Sequence, residues 1–239
     1  MPISYRSFIA AAWAFLLFMI ASQANALNVE YTDTNGVKSS VVVSDSSPIA
    51  NIPARIQSSC QAAPSNCSSL VSQEMAALNS AGLGGYITSV FDTAIAAISS
   101  SGQTGNSLAS SVAGVFSSVS NVLRNSGTDN ASRDVTILAN LVERTKTTLD
   151  SSGADETVKN AAIAKVAVSS LLTLKEKATT LSATSPIMVN LTGLASSSTD
   201  AMKSSAINTV LVLIGQGQTM ETVMQSDSAG ALSRYASPA

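Results

Sequence analysis

Apolar residues recur at helical spacing along most of the chain from residue 53 onward. The clearest stripe lies in residues 87–98, where the i, i+3, i+4, i+7 pattern places apolar side chains on one face of a helix. Six further segments carry similar stripes, at about residues 54–60, 65–80, 106–123, 131–149, 155–181 and 200–214. Short turns with Gly, Ser or Pro separate the segments. The pattern predicts an all-α bundle of about six helices around one core, spanning residues 53–217.

Two segments carry apolar runs that suggest contact with a second surface. The first contains a 3-4-3-4-3 spacing of the kind found in helix–helix seams, most commonly inside a bundle: Ala164, Ala167, Leu171, Leu174, Ala178 and Leu181. The second, residues 207–214, is almost continuously apolar, and a helix that is apolar all round is buried or meets a partner. We therefore predict that the chain self-associates through Leu171, Leu174, Leu181, Val210, Leu211, Val212, Leu213 and Ile214.

The two ends of the chain differ from the helical part. Residues 27–52 combine β-prone residues with an Asn35–Gly36 pair, which favours a hairpin-like or extended segment followed by a linker. Residues 190–199 are small and polar and predict a loop or a weak turn of helix. Residues 218–239 predict a weakly ordered tail with at most a short helix.

The first 26 residues have the pattern of a secretory signal peptide. Arg6 precedes an apolar run of about 14 residues, and Ala24-Asn25-Ala26 fits the small-x-small cleavage pattern. The run is shorter than the roughly 20 residues that a membrane-spanning helix needs. We expect a secreted, extracellular protein that has no membrane span after cleavage.

Cys60 and Cys67 are the only cysteines. In an exported protein, such a pair predicts one local disulfide that closes a small loop. An intermolecular bridge between chains is the alternative. A metal site needs more ligands than these two, and the chain contains no histidine.

Composition excludes several kinds of chemistry. The chain has 42 Ser and 35 Ala, with 12% charged and 4% aromatic residues and no His. The absence of His excludes a Ser-His-Asp triad, and a net charge of −2 argues against nucleic-acid binding. A Ser-Lys dyad would have to use Ser169 or Ser170 with Lys165, but no motif marks these residues. We predict no catalytic site, no cofactor and no metal.

The remaining polar features have simple structural interpretations. Glu176, between Lys175 and Lys177, is typical of a solvated helix face, and residues 82–85 are typical of a turn between helices. Asn66, Asn130 and Asn190 each begin an N-x-Ser/Thr sequence, at positions expected in loops or at helix starts. They are possible N-glycosylation sites, and Asn66 is the least favourable because Cys67 follows it.

Residues 90–123, VFDTAIAAISSSGQTGNSLASSVAGVFSSVSNVL, resemble the helix–turn–helix stretches of spider-silk proteins, the spidroins. Spidroin terminal domains and helical repeats have similar Ser/Ala/Val helices with little charge. This chain has no poly-alanine or glycine-rich repeat array. The resemblance therefore implies a short silk-like or silk-associated secreted protein.

These observations favour a secreted, non-enzymatic structural protein, silk-like or part of an extracellular matrix. Its partners would be further copies of the chain or other secreted structural proteins. The alternative is a secreted helical module that binds a lipid or a hydrophobic surface, because an Ala/Val/Leu bundle can enclose or cover apolar matter.

Overall fold

The computed structural model describes residues 26–32, 38–44, 51–177, 181–218 and 222–223. Residues 1–25 of the predicted signal peptide lie outside the described residues. The predicted Asn35–Gly36 turn and residues 224–239 of the predicted tail also lie outside them. Val223 is 1% exposed and belongs to the core.

Two strands occupy the segment in which a hairpin-like element is predicted. Strand β1 (Ala26–Thr32) pairs antiparallel with strand β2 (Lys38–Ser44). The register places Ala26 opposite Ser44 and Thr32 opposite Lys38.

The rest of the described chain is helical, which confirms the predicted all-α bundle. Its α-helices are α1 (Ile52–Ala62), α2 (Cys67–Ser80), α3 (Ile87–Ser100), α4 (Gly105–Arg124), α5 (Ala131–Ser151), α6 (Glu156–Lys177), α7 (Pro186–Ser196) and α8 (Ala201–Gly215). Short 3-10 turns at Pro64–Asn66 and Gly84–Tyr86 precede α2 and α3. The described residues thus form eight α-helices, where the sequence pattern predicts about six.

Helix α7 accounts for part of this difference, because it covers residues expected to form a loop or a weak turn. Pro186 stands in its first turn, where the missing N–H of proline costs nothing. Ile187, Leu191 and Leu194 follow helical spacing and are buried. The small polar residues between them lie on the other positions of the helix. The polar composition of this segment therefore predicted a loop where the chain forms a helix with one buried face.

Helix α4 lies at the centre of the bundle and packs against α2, α3, α5 and α6. Its buried side is the predicted stripe of apolar residues: Leu108, Val112, Val115, Phe116, Val119, Val122 and Leu123. Ala109 and Ala113 are also buried on this helix. Alanine brings neighbouring helices close together, but each one buries little apolar area compared with leucine or phenylalanine.

A disulfide joins the end of α1 to the start of α2. Cys60 and Cys67 are bonded to each other, which confirms the predicted internal bridge, and both are buried. Closing so short a loop restricts the unfolded chain and contributes about 2–3 kcal/mol on the chain-entropy model.

The predicted association residues are mostly inside the bundle. Leu171, Leu174, Val210, Leu211 and Ile214 are at most 4% exposed, and Leu181 and Leu213 are partly buried against the same core. Val212, at 55% exposed, is the one large outward-facing side chain of the set. Neighbouring helices therefore cover most of the predicted association residues, and Val212 is the member of the set that stays well exposed.

Candidate functional site

The most buried charge among the described residues is the carboxylate of Asp134, in the first turn of α5. It is 0% exposed, and its Oδ1 accepts hydrogen bonds from Arg133 Nε at 3.0 Å and Arg133 Nη2 at 2.8 Å. Its Oδ2 accepts a hydrogen bond from Ser126 Oγ at 2.5 Å. A carboxylate removed from water needs such partners, because an unpaired buried charge is strongly destabilising.

Lys177, at the end of α6, completes this network. Its side chain is 1% exposed, and its Nζ lies 3.4 Å from Asp134 Oδ2. Nζ also donates to Ser126 Oγ at 2.9 Å and to the carbonyl oxygen of Gly127. The network therefore joins the turn between α4 and α5 to the end of α6. Lys177 is not the solvated surface charge that the sequence predicts.

The contact between Ser126 Oγ and Lys177 Nζ has the donor–acceptor distance of a Ser-Lys dyad. In a catalytic dyad, a neutral lysine takes the serine proton. Here the Lys177 ammonium is a counter-charge of Asp134, and Ser126 donates its proton to the same carboxylate. These contacts place the Ser126 hydroxyl and the Lys177 side chain around one buried acid.

The serines considered for a dyad in the sequence serve in helix packing. Ser169 Oγ donates to Ser117 Oγ at 3.0 Å between α6 and α4, and Ser170 Oγ donates to the carbonyl of Val166 at 2.8 Å. Within the described residues, neither hydroxyl forms a hydrogen bond with Lys165.

The Gly84–Tyr86 turn, which the sequence marks only as a turn, accommodates the Arg133 side chain. A Cβ atom at Gly84 would lie 2.6 Å from three atoms of the Arg133 guanidinium group. Arg133 Nη2 also donates to Asn79 Oδ1 at 3.1 Å. Gly84 therefore leaves room for an arginine that links the Asp134 network to the end of α2.

We expect Gly84→Ala to lower the free energy of unfolding by about 0.5–1.5 kcal/mol, because the added methyl group pushes the end of the Arg133 side chain away from its hydrogen-bond partners Asp134 and Asn79. Gly85→Ala is the matched control, since a Cβ there has no heavy atom within 4 Å. Urea denaturation of both variants measures the difference. Equal stability of the two would show that Arg133 moves aside without cost.

A second ionic cluster lies where α5 meets α6 and α7. The Asp150 carboxylate is 2.7 Å from Lys146 Nζ and 2.8 Å from Lys159 Nζ, and it accepts a hydrogen bond from Ser197 Oγ at 3.2 Å. Partial burial raises the pKa of Asp150, but the hydrogen bonds and charges of the two lysines outweigh it and lower the pKa below its usual value.

The pKa of Asp92, on α3, is shifted in the opposite direction. Its carboxylate lies 2.9 Å from Arg144 Nη1 on α5. Burial raises the pKa of Asp92 more than the Arg144 charge and hydrogen bond lower it, so the pKa stands above its usual value. Its charged form is therefore disfavoured in the folded chain relative to the unfolded chain.

These two carboxylates should affect acid stability with opposite signs. Asp150 contributes stability above its unfolded pKa of about 4, and this contribution is lost as the pH falls through the lower folded value. We expect Asp150→Asn to lower the free energy of unfolding by a few tenths to about 1 kcal/mol at pH 7, as for exposed ion pairs, and to be as stable as the wild type at about pH 2.

Asp92→Asn should not lower the free energy of unfolding at pH 7. The stability that Asp92 contributes at low pH is already lost above its raised folded pKa. Urea denaturation between pH 2 and 7 measures both, and equal losses in the two variants at pH 7 would contradict the prediction.

A third polar cluster holds the turn between α7 and α8. Asn160 on α6 is 6% exposed. Its Oδ1 accepts hydrogen bonds from Ser198 Oγ at 2.9 Å and Thr199 N at 3.1 Å, and its Nδ2 donates to Thr199 Oγ1 at 3.1 Å. This buried amide fixes the turn onto α6, a role that the sequence pattern does not indicate.

A groove of about 290 Å³ lies on α4 between α2 and α6. Its lining is almost entirely polar: Ser72, Ser117, Ser118, Ser120, Asn121, Arg124, Ser169, Leu172 and Thr173. Thr173 Oγ1 donates to the carbonyl of Ser120 at 3.0 Å, which ties together α4 and α6, two of the three helices that line the groove. The sequence shows these serines only as the polar side of a helix.

The three possible glycosylation sites differ in their surroundings. Asn66 and Asn130 are exposed at the starts of α2 and α5. Asn190 lies inside α7, against the expectation of a loop or helix start, and its Nδ2 donates to the carbonyl of Ala139 at 2.9 Å. This side chain packs α7 against α5, so a glycan at Asn190 would have to displace that contact.

Within the described residues, no group of three or more acidic, histidine or cysteine side chains is placed to hold a metal ion. Over the same residues, no helix combines the length and apolar character needed to span a bilayer.

Comparisons with protein-family models, with curated proteins and with solved structures find no match to this chain.

Proposed function

We propose that the chain is a secreted, non-enzymatic structural protein, silk-like or part of an extracellular matrix, whose folded bundles associate with one another. The observation that carries this proposal is the outer face of α8. Residues 204–218 contain no charged residue, and Val212 is 55% exposed in the middle of this stretch. Covering an exposed apolar side chain on an uncharged face is favourable, because apolar area is removed from water at no cost in charge desolvation.

The use of the charged residues supports a structural role. The Asp134 network joins α5 to α6 and to the turn after α4, and the Asp150 cluster joins α5 to α6 and α7. In both clusters one carboxylate lies between two basic side chains, one on the same helix and one on α6. This arrangement favours rigidity of the bundle over proton transfer to a substrate.

The composition supports close approach of many copies. With 12% charged residues and a net charge of −2, long-range repulsion between copies is weak. The serines that cover the helices keep the surface hydrated without adding charge. Contacts between copies would then depend on a few exposed apolar residues, which in the described part of the chain are Val189, Met202 and Val212.

Sedimentation velocity over a range of concentrations tests the proposal. We expect the wild-type chain to form species larger than a monomer as concentration rises, and Val212→Lys to shift this onset to higher concentration. Ser110→Lys, which places the same charge at an exposed position on α4, is the matched control and should associate like the wild type. A wild-type chain that stays monomeric at high concentration would contradict the proposal.

The alternative function, binding of a lipid or a hydrophobic surface, uses the same face of the molecule. A shallow groove of about 690 Å³ runs along α8, and its lining includes Ser204, Asn208, Val212 and Leu213. Flotation with phosphatidylcholine vesicles separates the two functions. The alternative would be favoured if the wild-type chain floats with the vesicles and Val212→Lys does not, while the wild-type chain is a monomer without vesicles.

A further inference from the structure

We propose that the serine-lined groove on α4 is a binding site for a small oxyanion group, such as a sulfate, phosphate or carboxylate, with Arg124 as its counter-charge. The inference does not depend on self-association, because the groove lies between α2, α4 and α6, and α8 contributes nothing to it.

The charge of Arg124 is the first observation. Of the four arginines whose side chains the structure describes, Arg55, Arg133 and Arg144 each form a salt bridge with a carboxylate. Arg124 forms none within the described residues, and its Nη2 donates to Asn121 Oδ1 at 2.6 Å. The bond to Asn121, another groove residue, orients the guanidinium group and leaves its other N–H groups to a ligand.

The second observation is the hydroxyl of Ser120, one of the residues that line the groove. Ser120 is 1% exposed, and its Oγ has no hydrogen-bond partner among the described residues. A buried polar group without a partner is costly, so such groups in folded proteins usually meet water, an ion or a ligand. Its place in the lining of a groove of about 290 Å³ indicates where that partner would lie.

The lining as a whole favours an anion. Ser169 donates to Ser117, which leaves the hydroxyl proton of Ser117 available. Ser72 and Ser118 add two further hydroxyls, and no Asp or Glu belongs to the lining. One guanidinium group and several hydroxyl donors, with no negative charge, form a set that complements the acceptor oxygens of an oxyanion. With about 30 Å³ per water molecule, the groove has room for a group of several heavy atoms.

NMR titration of the ¹⁵N-labelled chain tests this site. The probes are sodium phosphate, sodium sulfate, sodium acetate and sodium glucuronate, with sodium chloride at matched ionic strength as the reference. We expect saturable shifts of the amide resonances of α4 around residues 117–124 with the oxyanions but not with chloride. Tighter binding of glucuronate than of acetate would identify an acidic sugar as the source of the oxyanion, and tighter binding of phosphate or sulfate would identify a free ion.

Two substitutions separate binding from structure. Arg124→Gln should weaken binding at least about tenfold, whereas Lys175→Gln, which removes the same charge from an exposed position on α6, should leave it unchanged. Ser120→Ala should weaken binding about three- to tenfold without lowering the stability of the ligand-free chain, because it removes a hydroxyl that has no partner. Ser110→Ala is its control on the exposed side of α4.

Three results would overturn the site. The first is shifts scattered over the surface that do not saturate. The second is binding by Arg124→Gln within twofold of Lys175→Gln. The third is a Ser120→Ala variant that is less stable than Ser110→Ala without ligand and binds like the wild type. Each of these results would mean that the groove is a feature of helix packing and not a binding site.

Discussion

Asp134→Ala is expected to lower the free energy of unfolding by about 3–5 kcal/mol, the usual cost of removing one member of a buried ion pair. Among the described residues, the substitution leaves the Lys177 ammonium, 1% exposed, with Ser126 Oγ and the Gly127 carbonyl as its polar partners. Arg133 is less affected, because its side chain is 27% exposed and water replaces part of the lost bond. Because typical domains have a total stability of about 5–15 kcal/mol, a loss of this size would remove a large part of it.

Denaturation by urea, followed by circular dichroism, measures this loss. Glu143→Gln is the matched control, because it removes one negative charge from an exposed position on the same helix and should change stability by less than about 0.5 kcal/mol. Combining Asp134→Leu with Lys177→Met should recover much of the loss, since no unpaired charge then stays buried. A loss below about 1 kcal/mol for Asp134→Ala would mean that water reaches Lys177 in solution.

The second large effect is expected for Phe116→Ala, which should cost about 3–5 kcal/mol. Phe116 is fully buried on α4, the helix that packs against four others, and it is one of the largest buried side chains. Alanine and valine are frequent around this core, and a small rigid side chain cannot move far enough to fill a ring-sized cavity. The cost should therefore include the cavity as well as the lost apolar contact.

Two substitutions define the origin of that cost in the same urea experiment. Phe116→Leu keeps much of the volume and should cost less than half as much as Phe116→Ala. Val212→Ala shortens an exposed side chain and should change stability by less than about 0.5 kcal/mol. If Phe116→Ala lowered the free energy of unfolding by less than about 2 kcal/mol, the neighbouring side chains would be moving to fill the cavity, and a rigid core would be excluded.

The elements that were predictable from sequence are those with local causes. The stripe in α4 follows from apolar residues three and four apart, and the helix stops at Gly127 and Gly153 follow from the positive φ that glycine accepts there. The Cys60–Cys67 bridge follows from two cysteines close in sequence. Each signal lies within a few residues, so no knowledge of the packing is needed.

The pairing of distant residues was not predictable in the same way. Asp134 and Lys177 lie on different helices, and each one alone has the pattern of an ordinary surface charge. The signal that was available for Lys177 is its position three residues after the buried Leu174, which places it near the buried side of α6. Local spacing also did not show that the bundle itself covers Val210, Leu211 and Ile214 while Val212 stays exposed.

The sequence by itself determined the helical class, the positions of most helices and the disulfide, because backbone propensity, apolar spacing and a short covalent loop act over a few residues. Only the tertiary structure decided which charges are buried, which serines face a groove and which apolar residues remain exposed. These properties depend on how far apart the helix axes lie and how each helix is rotated toward its neighbours. That geometry arises from the sum of many small contacts in an alanine- and valine-rich core, and no single segment of the chain encodes it.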